Sequence, residues 1–276
     1  MLRTAHIEDF ACADSPGGEL FQAGSISKAV TALVALLLVD DGVLDLDADT
    51  DGATLRQLLS HTSGAGLEFF PGTSAVQTCP RSPTRAPRSS STRPRQGGSA
   101  TPAGATSSSS SLLEEATGKP FFVLAEERVL APLGMCDSTD WHVYSEAAAA
   151  GLWTTPVDLA RFALSVQRAL ADRRGPVPPR VASLMVEPQA EIPASEDTDA
   201  IRSLGIAPPE AMGLGLFLAD GGRRFGHLGG NHGFTAALDL SAVDGTGAVV
   251  MSDLDNGFEV VLPVLAEALA DGIPTT

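Results

Sequence analysis

The stretch Phe21-Gln-Ala-Gly-Ser-Ile-Ser-Lys28 and the apolar run that follows it, residues 29–39, determine how the rest of the chain is interpreted. The run is long enough for a buried helix, and Asp40-Asp-Gly42 indicates where that helix ends. Because positions three apart share one face of a helix, we expect the amine of Lys28 beside the hydroxyl of Ser25. The sequence therefore predicts a helix over residues 25–41 that presents Ser25 in its first turn.

A serine and a lysine placed in this way form a pair suited to nucleophilic catalysis. A serine alcohol becomes a nucleophile when a base takes its proton, and a lysine in a dry pocket can serve as that base. The start of a helix also offers unpaired backbone N–H groups and a partial positive charge, which stabilise an oxyanion. The alternative interpretation is a helix N-cap at Ser25 with an unrelated Lys28, because Ser-x-x-Lys is a short motif.

Further motifs follow in order along the chain. They are Leu44-Asp-Leu-Asp47, Thr54-Leu-Arg-Gln-Leu-Leu-Ser-His-Thr-Ser-Gly64, Thr117-Gly-Lys-Pro-Phe121, Leu130-Ala-Pro-Leu-Gly-Met135, Gly151-Leu-Trp-Thr-Thr-Pro-Val-Asp-Leu-Ala-Arg161 and Gly226-His-Leu-Gly-Gly230. Together with the Ser-x-x-Lys motif, this ordered set resembles the serine β-lactamase and penicillin-binding-protein-like superfamily, in its class C β-lactamase and esterase-like branch. The resemblance covers nearly the whole chain except about residues 70–111.

The resemblance implies a single α+β domain over residues 1–276, in which an antiparallel sheet flanked by helices meets a helical lobe across a cleft. Residues 25–77 and 112–175 would form most of the helical lobe, and residues 212–276 the C-terminal strands and helix. Before the nucleophile motif, only residues 4–12 could form a partial strand. We therefore expect truncated N-terminal strands; if these strands are missing, one sheet edge is open, which favours aggregation. The alternative is a misplaced start codon without any real truncation.

The resemblance also assigns roles to five residues. Ser25 is the nucleophile and Lys28 its base. His227 takes the place of the lysine in the Lys-Thr-Gly strand motif, as in the esterase-like branch. Gly229 and Gly230 let the substrate backbone approach the strand, and the N–H groups of Gly230 and Ser25 form the oxyanion hole.

Alternative interpretations accompany several of these residues. The Gly-His-x-Gly-Gly stretch could be a bulge in a strand. Leu228 replaces the usual Thr or Ser, which removes a hydroxyl that binds a substrate carboxylate in relatives. His61 is interpreted as a structural residue rather than a base, and Trp141 and Trp153 as packing residues rather than substrate platforms.

Residues 78–111 have a composition that no other part of the chain shows. They contain no Asp, Glu, Val, Ile, Leu, Met, Phe, Trp or Tyr, so we expect them to be disordered. The gene could, however, be translated in a shifted frame that starts at the last base of each codon. In that frame the codons of Ala100-Thr-Pro-Ala-Gly-Ala-Thr-Ser107 can encode Tyr-Ser-Gly-Gly-Gly-Tyr followed by an apolar residue. The hypothesis is a frame disruption at the place where relatives carry their tyrosine motif. The alternative is a flexible linker.

The consequence of a missing tyrosine motif is chemical. In relatives that tyrosine shuttles protons between the lysine, the nucleophile and the leaving group, and such assistance typically contributes ~100- to 10,000-fold in rate. The one tyrosine of this chain, Tyr144, lies in a different segment. The chain as written is therefore predicted to be impaired or inactive as an enzyme.

The remaining segments predict regular elements. Helical patterns cover residues 121–130, 156–170 and 181–186, with a long surface loop in the rest of residues 176–209. Strand patterns cover residues 213–218, 223–227, 233–240 and 247–252, and a helix over residues 258–269 covers the sheet.

The composition excludes several classes of partner. The 276 residues carry a formal net charge of −16 with a pI near 4.5, so nucleic acid and anionic membranes are not expected partners. Cys12, Cys79 and Cys136 show no metal-binding spacing, and no metal or cofactor is implied. The apolar run at residues 32–39 is too short to span a bilayer. Without a signal peptide the sequence as written predicts a cytoplasmic protein, whereas a start further upstream would predict export.

The sequence thus predicts a serine hydrolase that transfers an acyl group through Ser25. Its substrate would be a small molecule or peptide: a β-lactam, a D-amino-acid peptide or a small ester. The alternative is an inactive or decayed relative that serves, if at all, as a binding scaffold. A third interpretation, an interaction protein that uses the Arg- and Ser-rich segment as a tail, depends on composition alone. The oligomeric state is left open.

Overall fold

The three-dimensional structure is a computed structural model, and it describes residues 1–9, 11–12, 18–50, 52–63, 105–138 and 147–271. Within these ranges an eight-stranded antiparallel sheet is flanked by helices, which confirms the predicted α+β class. The strands are β1 (Leu2–Glu8), β2 (Ala11–Cys12), β3 (Phe21–Gln22), β4 (Asp49–Thr50), β5 (Ala53–Thr54), β6 (Trp153–Thr154), β7 (Ala190–Glu191), β8 (Ala211–Met212), β9 (Phe217–Ala219), β10 (Arg224–Asn231), β11 (Phe234–Ser241) and β12 (Gly247–Ser252).

The large sheet has the order β2-β1-β12-β11-β10-β9-β8-β7, and the pairs β3–β6 and β4–β5 form two small ribbons. Successive strands from β7 to β12 are neighbours, so the meander predicted from the C-terminal sequence is confirmed. The N-terminal side differs from expectation. β1 runs antiparallel to β12 over six residue pairs, from Leu2 opposite Ser252 to Ile7 opposite Gly247. The partial N-terminal strand is therefore present as β1, and the open edge expected in the absence of such strands does not occur at β12.

The helices are α1 (Ser27–Asp40), α2 (Leu55–Leu59), α3 (Ala105–Thr117), α4 (Phe121–Ala125), α5 (Ala147–Ala150), α6 (Pro156–Leu170), α7 (Pro179–Met185), α8 (Glu196–Ser203) and α9 (Phe258–Asp271). A 3-10 turn over Gly24–Ile26 precedes α1, and a π-helical turn over Glu126–Leu130 continues α4. α1 is apolar around its whole circumference and is buried on nearly every side, as expected of a helix inside a core. It ends before Gly42, which adopts φ +73°.

Two apolar clusters hold the sheet between helices. The larger one joins α1, α6 and the inward face of the sheet, while the smaller one joins α9 to the opposite face. Along β10 the side chains alternate between these clusters: Phe225 belongs to the larger, and Leu228 packs against the smaller. Because every second side chain of a strand points to the same face, His227 and Gly229 share the face of Phe225, which meets the nucleophile segment.

Two segments differ from the sequence prediction. α8 lies in the stretch interpreted as a surface loop, because Ser195 and Thr198 form a capping box that starts a short polar helix without an apolar stripe. α3 includes residues 105–111, which had been assigned to the disordered segment, and Leu113 of the same helix is fully buried. Helix α3 therefore extends into the segment whose composition predicts disorder, and it is anchored through its second half; the disorder of the segment stays a prediction. Residues 78–104, which contain most of the suspected tyrosine frame, lie outside the described residues.

No helix within the described ranges is both long and apolar enough to cross a membrane.

Candidate active site

Ser25 and Lys28 are brought together as the sequence predicts. The Nζ atom of Lys28 donates to the Oγ atom of Ser25 at 3.0 Å, and both side chains are half-buried. The α-helix begins at Ser27, two residues later than expected, because Gly24–Ile26 form a 3-10 turn. In that tighter turn residues three apart lie nearly above one another, which brings the hydroxyl and the amine together.

The buried side chain of Ser27 holds the Gly24–Ile26 turn in place through two hydrogen bonds. The Oγ atom of Ser27 donates to the carbonyl of Gly24 at 2.7 Å and accepts from the N–H of Leu152 at 3.1 Å. The Ala23 N–H donates to the Leu152 carbonyl at 2.9 Å. The nucleophile turn is thus tied at two points to the chain that leads into β6.

Three successive carbonyls at the end of α5, those of residues 148, 149 and 150, accept side-chain hydrogen bonds. Their donors are Thr31 Oγ1 at 2.6 Å, Lys28 Nζ at 3.0 Å and Asn231 Nδ2 at 2.9 Å, in that order. Carbonyls at the end of a helix lack partners within the helix, so they are available to such donors. The α5 terminus therefore aims the Lys28 amine at Ser25. Sequence reasoning missed these acceptors, since an alanine carbonyl leaves no signal in the sequence.

Asn231 links the strand to the nucleophile segment. Its Nδ2 atom donates both to the Ala150 carbonyl and to the Oε1 atom of Gln22, the latter at 2.7 Å. Gln22 is buried and precedes Ser25 by three residues. One amide group thus connects β10, β3 and α5 around the candidate site, a role that the sequence gave no reason to assign.

The glycines of the third motif lie directly against the nucleophile turn. A Cβ atom on Gly229 would lie 2.0 Å from the carbonyl oxygen of Ala23, and one on Gly24 would lie 2.7 Å from the nitrogen of Gly230. Gly24 also has φ +54°, which favours glycine. Close backbone contact between β10 and the turn is therefore possible only without side chains, and it brings the Gly230 strand beside Ser25.

His227 is buried, with 4% of its surface exposed, and its ring stacks on Phe217 at a centroid distance of 4.7 Å. Burial lowers the pKa of His227 to about 3, with smaller contributions from the charges of Lys28 and His61, although the Leu228 carbonyl opposes this shift. The ring is therefore neutral near pH 7.

The hydrogen bonds of His227 define its tautomer. Nδ1 lies 2.6 Å from the Leu228 carbonyl, which can only accept, so Nδ1 carries the proton. Nε2 then carries a lone pair, and it has no hydrogen-bond partner in the described part of the chain.

His61 ends helix α2. It adopts φ +57°, its N–H donates to the Leu58 carbonyl at 3.4 Å, and the Thr62 N–H donates to the Gln57 carbonyl at 2.9 Å. These two bonds form a Schellman motif with His61 at the position that usually favours glycine. Desolvation and the positive charge of Lys28 lower the pKa of His61, although its side chain still reaches solvent. The geometry supports the structural interpretation of this histidine.

Of the aromatic residues considered in the sequence, Trp153 lies within the described part of the chain. Trp153 is buried and meets Phe234 edge to face at 5.2 Å, which supports a packing role. Trp141 and Tyr144 lie outside the described residues. In the described ranges no cluster of His, Cys, Asp or Glu could hold a metal ion.

Comparison with known proteins identifies the relationship. The Beta-lactamase family model matches residues 13–270. The octameric penicillin-binding protein homologue from Pyrococcus abyssi aligns with a TM-score of 0.70 at 17% identity, over 98% of this chain and 73% of that one. A beta-lactamase from Mycobacterium bovis aligns with a TM-score of 0.66 at 21% identity, over 97% and 92% of the two chains. The D-amino acid amidase from Ochrobactrum anthropi aligns with a TM-score of 0.62 at 18% identity, over 98% and 93%.

Proposed function

Because this chain belongs to the Beta-lactamase family, we propose that it is a serine hydrolase that transfers an acyl group through Ser25. The observation that carries the proposal is the 3.0 Å contact between Lys28 Nζ and Ser25 Oγ. The same amine donates to the Ala149 carbonyl, so its position is fixed by two acceptors. A general base within hydrogen-bond distance of the nucleophile is the geometric requirement for this chemistry.

The first half-reaction forms an acyl-enzyme. The reacting form is the one in which Lys28 has released a proton: as Ser25 Oγ bonds to the carbonyl carbon of the substrate, its proton passes to the unprotonated Lys28 amine. The tetrahedral intermediate then collapses, the bond to the leaving group breaks, and the leaving group takes the proton from Lys28. The second half-reaction repeats these steps with water as the nucleophile. Its products are a carboxylic acid and a regenerated Ser25 hydroxyl.

The oxyanion of each intermediate would be stabilised by the backbone N–H groups of Ser25 and Gly230. Support comes from the close approach between the nucleophile turn and β10, where Gly24 and Gly230 are in backbone contact. Removing one donor from such a hole typically lowers kcat by ~100- to 1,000-fold. The substrate classes that fit the family are β-lactams, D-amino-acid peptides or amides, and small esters.

A second candidate function is a non-catalytic scaffold. One observation favours it: the single tyrosine of the chain, Tyr144, is not in the segment where relatives carry their tyrosine motif. The Lys28–Ser25 contact supports the catalytic candidate, because a scaffold has no need of an amine aimed at a half-buried hydroxyl.

The test is covalent labelling of the purified protein with a fluorophosphonate and with a fluorescent penicillin. We expect the fluorophosphonate to label Ser25, and the label to be lost in Ser25→Ala and reduced at least 100-fold in rate in Lys28→Met. Mass spectrometry of the labelled peptide identifies the site. Equal labelling of wild type and Ser25→Ala would exclude Ser25 as the nucleophile, and absence of any label would favour the scaffold.

A further inference from the structure

The surface on which a substrate would lie is the free edge of β10. β9 pairs with β10 only from Arg224 to Gly226, so the next residues, from His227 to Asn231, have no strand partner on that side within the described ranges. This edge contains Gly229 and Gly230 and lies beside the nucleophile turn. A substrate held by backbone groups of this edge would have the carbonyl under attack close to Ser25.

The side chains of the first two residues of that edge offer a substrate neither a positive charge nor a hydrogen-bond donor. The His227 ring is neutral, and its one N–H donates to the Leu228 carbonyl. The Leu228 side chain is aliphatic and packs with the α9 cluster. A substrate carboxylate at this position would therefore lose hydration without gaining a partner.

The surroundings of the edge reinforce this property. A small hollow lies on the α9 side of β10, below α8, and it is lined by His227, Leu228 and mainly apolar side chains. In that lining, all of it within the described residues, the one charged side chain is Asp239, which is itself negative and paired with Arg224. Apolar walls disfavour an approaching anion, and the Arg224 side chain is already paired with Asp239.

The cation beside the nucleophile, Lys28, is already engaged. Lys28 directs its amine to Ser25 Oγ and to the Ala149 carbonyl, both at 3.0 Å. Using it to bind a substrate carboxylate would remove it from the nucleophile. The His61 ring, whose pKa is lowered by desolvation and by Lys28, does not add a positive charge near pH 7.

We propose that the acyl donor of this protein is an uncharged ester or amide, and that substrates with a carboxylate in the leaving group are rejected. The proposal rests on the function proposed above for Ser25. It excludes those β-lactams and D-amino-acid peptides in which the leaving portion retains its free carboxylate. It retains esters and amides whose leaving group is neutral.

The test uses two phenyl esters of N-phenylacetylglycine that share one acyl group. One releases 3-hydroxybenzamide and the other releases 3-hydroxybenzoate, so the pair differs in the leaving-group carboxylate. We expect the wild-type kcat/KM, corrected for the hydroxide-catalysed rate of each ester, to be at least tenfold higher for the carboxamide. A smaller ratio would overturn the proposal.

A variant locates the effect. His227→Lys restores a cation on the strand and should lower the carboxamide-to-carboxylate ratio at least tenfold. His232→Lys is the matched control, because it adds the same charge at a side chain that is 89% exposed. An equal fall of the ratio in both variants would show that net charge, rather than the β10 edge, sets the preference. If His227→Lys does not fold, the wild-type ratio decides the question alone.

Active-site titration separates this inference from the proposed function. If the fluorophosphonate does not label Ser25, both fail together. If it labels Ser25 and the ester ratio is below ten, the acyl-transfer function stands and only the substrate inference is wrong.

Discussion

His227 links the stability of the fold to pH through a single buried imidazole. Its pKa is about 3 in the folded protein against an ordinary value of 6.5. Between these values the unfolded chain binds a proton that the folded chain does not. The free energy of unfolding is therefore fully retained above pH 6.5 and falls as the pH drops toward 3, at about 1.4 kcal/mol per pH unit.

Replacing this imidazole should make the protein less sensitive to acid. Between pH 7 and pH 5 the wild type should lose about 2 kcal/mol more of its unfolding free energy than His227→Gln, because about 1.5 pH units lie below the ordinary pKa. Urea unfolding at both pH values measures the difference. His232→Gln, at an exposed position, should behave like wild type. Equal acid losses in wild type and His227→Gln would contradict the assignment.

His61 poses a different question, because its ring and its backbone suggest different roles. The ring lies within electrostatic reach of Lys28, while the backbone occupies the left-handed position that ends α2. His61→Gly separates the two, since it removes the ring and retains the conformation. We expect unfolding free energy within ~1 kcal/mol of wild type and ester hydrolysis within threefold. A hundredfold loss of kcat/KM in a stable His61→Gly protein would instead make the ring part of the catalytic machinery.

At the scale of elements, the contact between the nucleophile turn and β10 determines the geometry of the candidate site. The carbonyl of Ala23 occupies the space that a side chain on Gly229 would need. Neither partner can yield without moving a strand or the turn, since both contacts are backbone. The element pair therefore tolerates no side chain at that point.

Gly229→Ala tests this contact. The added methyl group would lie 2.0 Å from the Ala23 oxygen, so we expect a stability loss of ~1–3 kcal/mol and at least a hundredfold fall in the rate of Ser25 labelling. Gly175→Ala is the control, because no atom lies within 4 Å of its new Cβ and its φ is not positive. Thermal unfolding and labelling kinetics measure both effects. Normal labelling of Gly229→Ala would mean that the turn is free to move away from the strand.

At the scale of the whole molecule, local patterns predicted the elements better than their relationships. A short apolar run between turn residues located β12, and the proline at residue 156 located the start of α6, because both signals are local. α8 was missed since a short polar helix leaves no apolar period. The division of the chain into lobes stays a prediction.

In the candidate site, only residues that belong to a short sequence motif with a known chemical role could be predicted. Ser25 and Lys28 were identified from their spacing, and the contact between them is present. The donor Asn231, its partner Gln22 and the acceptors of α5 were not identified, because their roles arise from chain segments far apart in sequence. The neutral state of His227 also depends on tertiary burial, which one sequence motif does not specify.

The three acceptors at the end of α5 also determine which kinds of genetic change the site can tolerate. Because Thr31, Lys28 and Asn231 bind to carbonyls of the main chain, exchanging one alanine of Ala147–Ala150 for another small residue removes none of the acceptors. Inserting or deleting a single residue there would instead shift every carbonyl by one position and turn the Lys28 acceptor away. This segment should therefore accept missense changes readily while being intolerant of changes in its length.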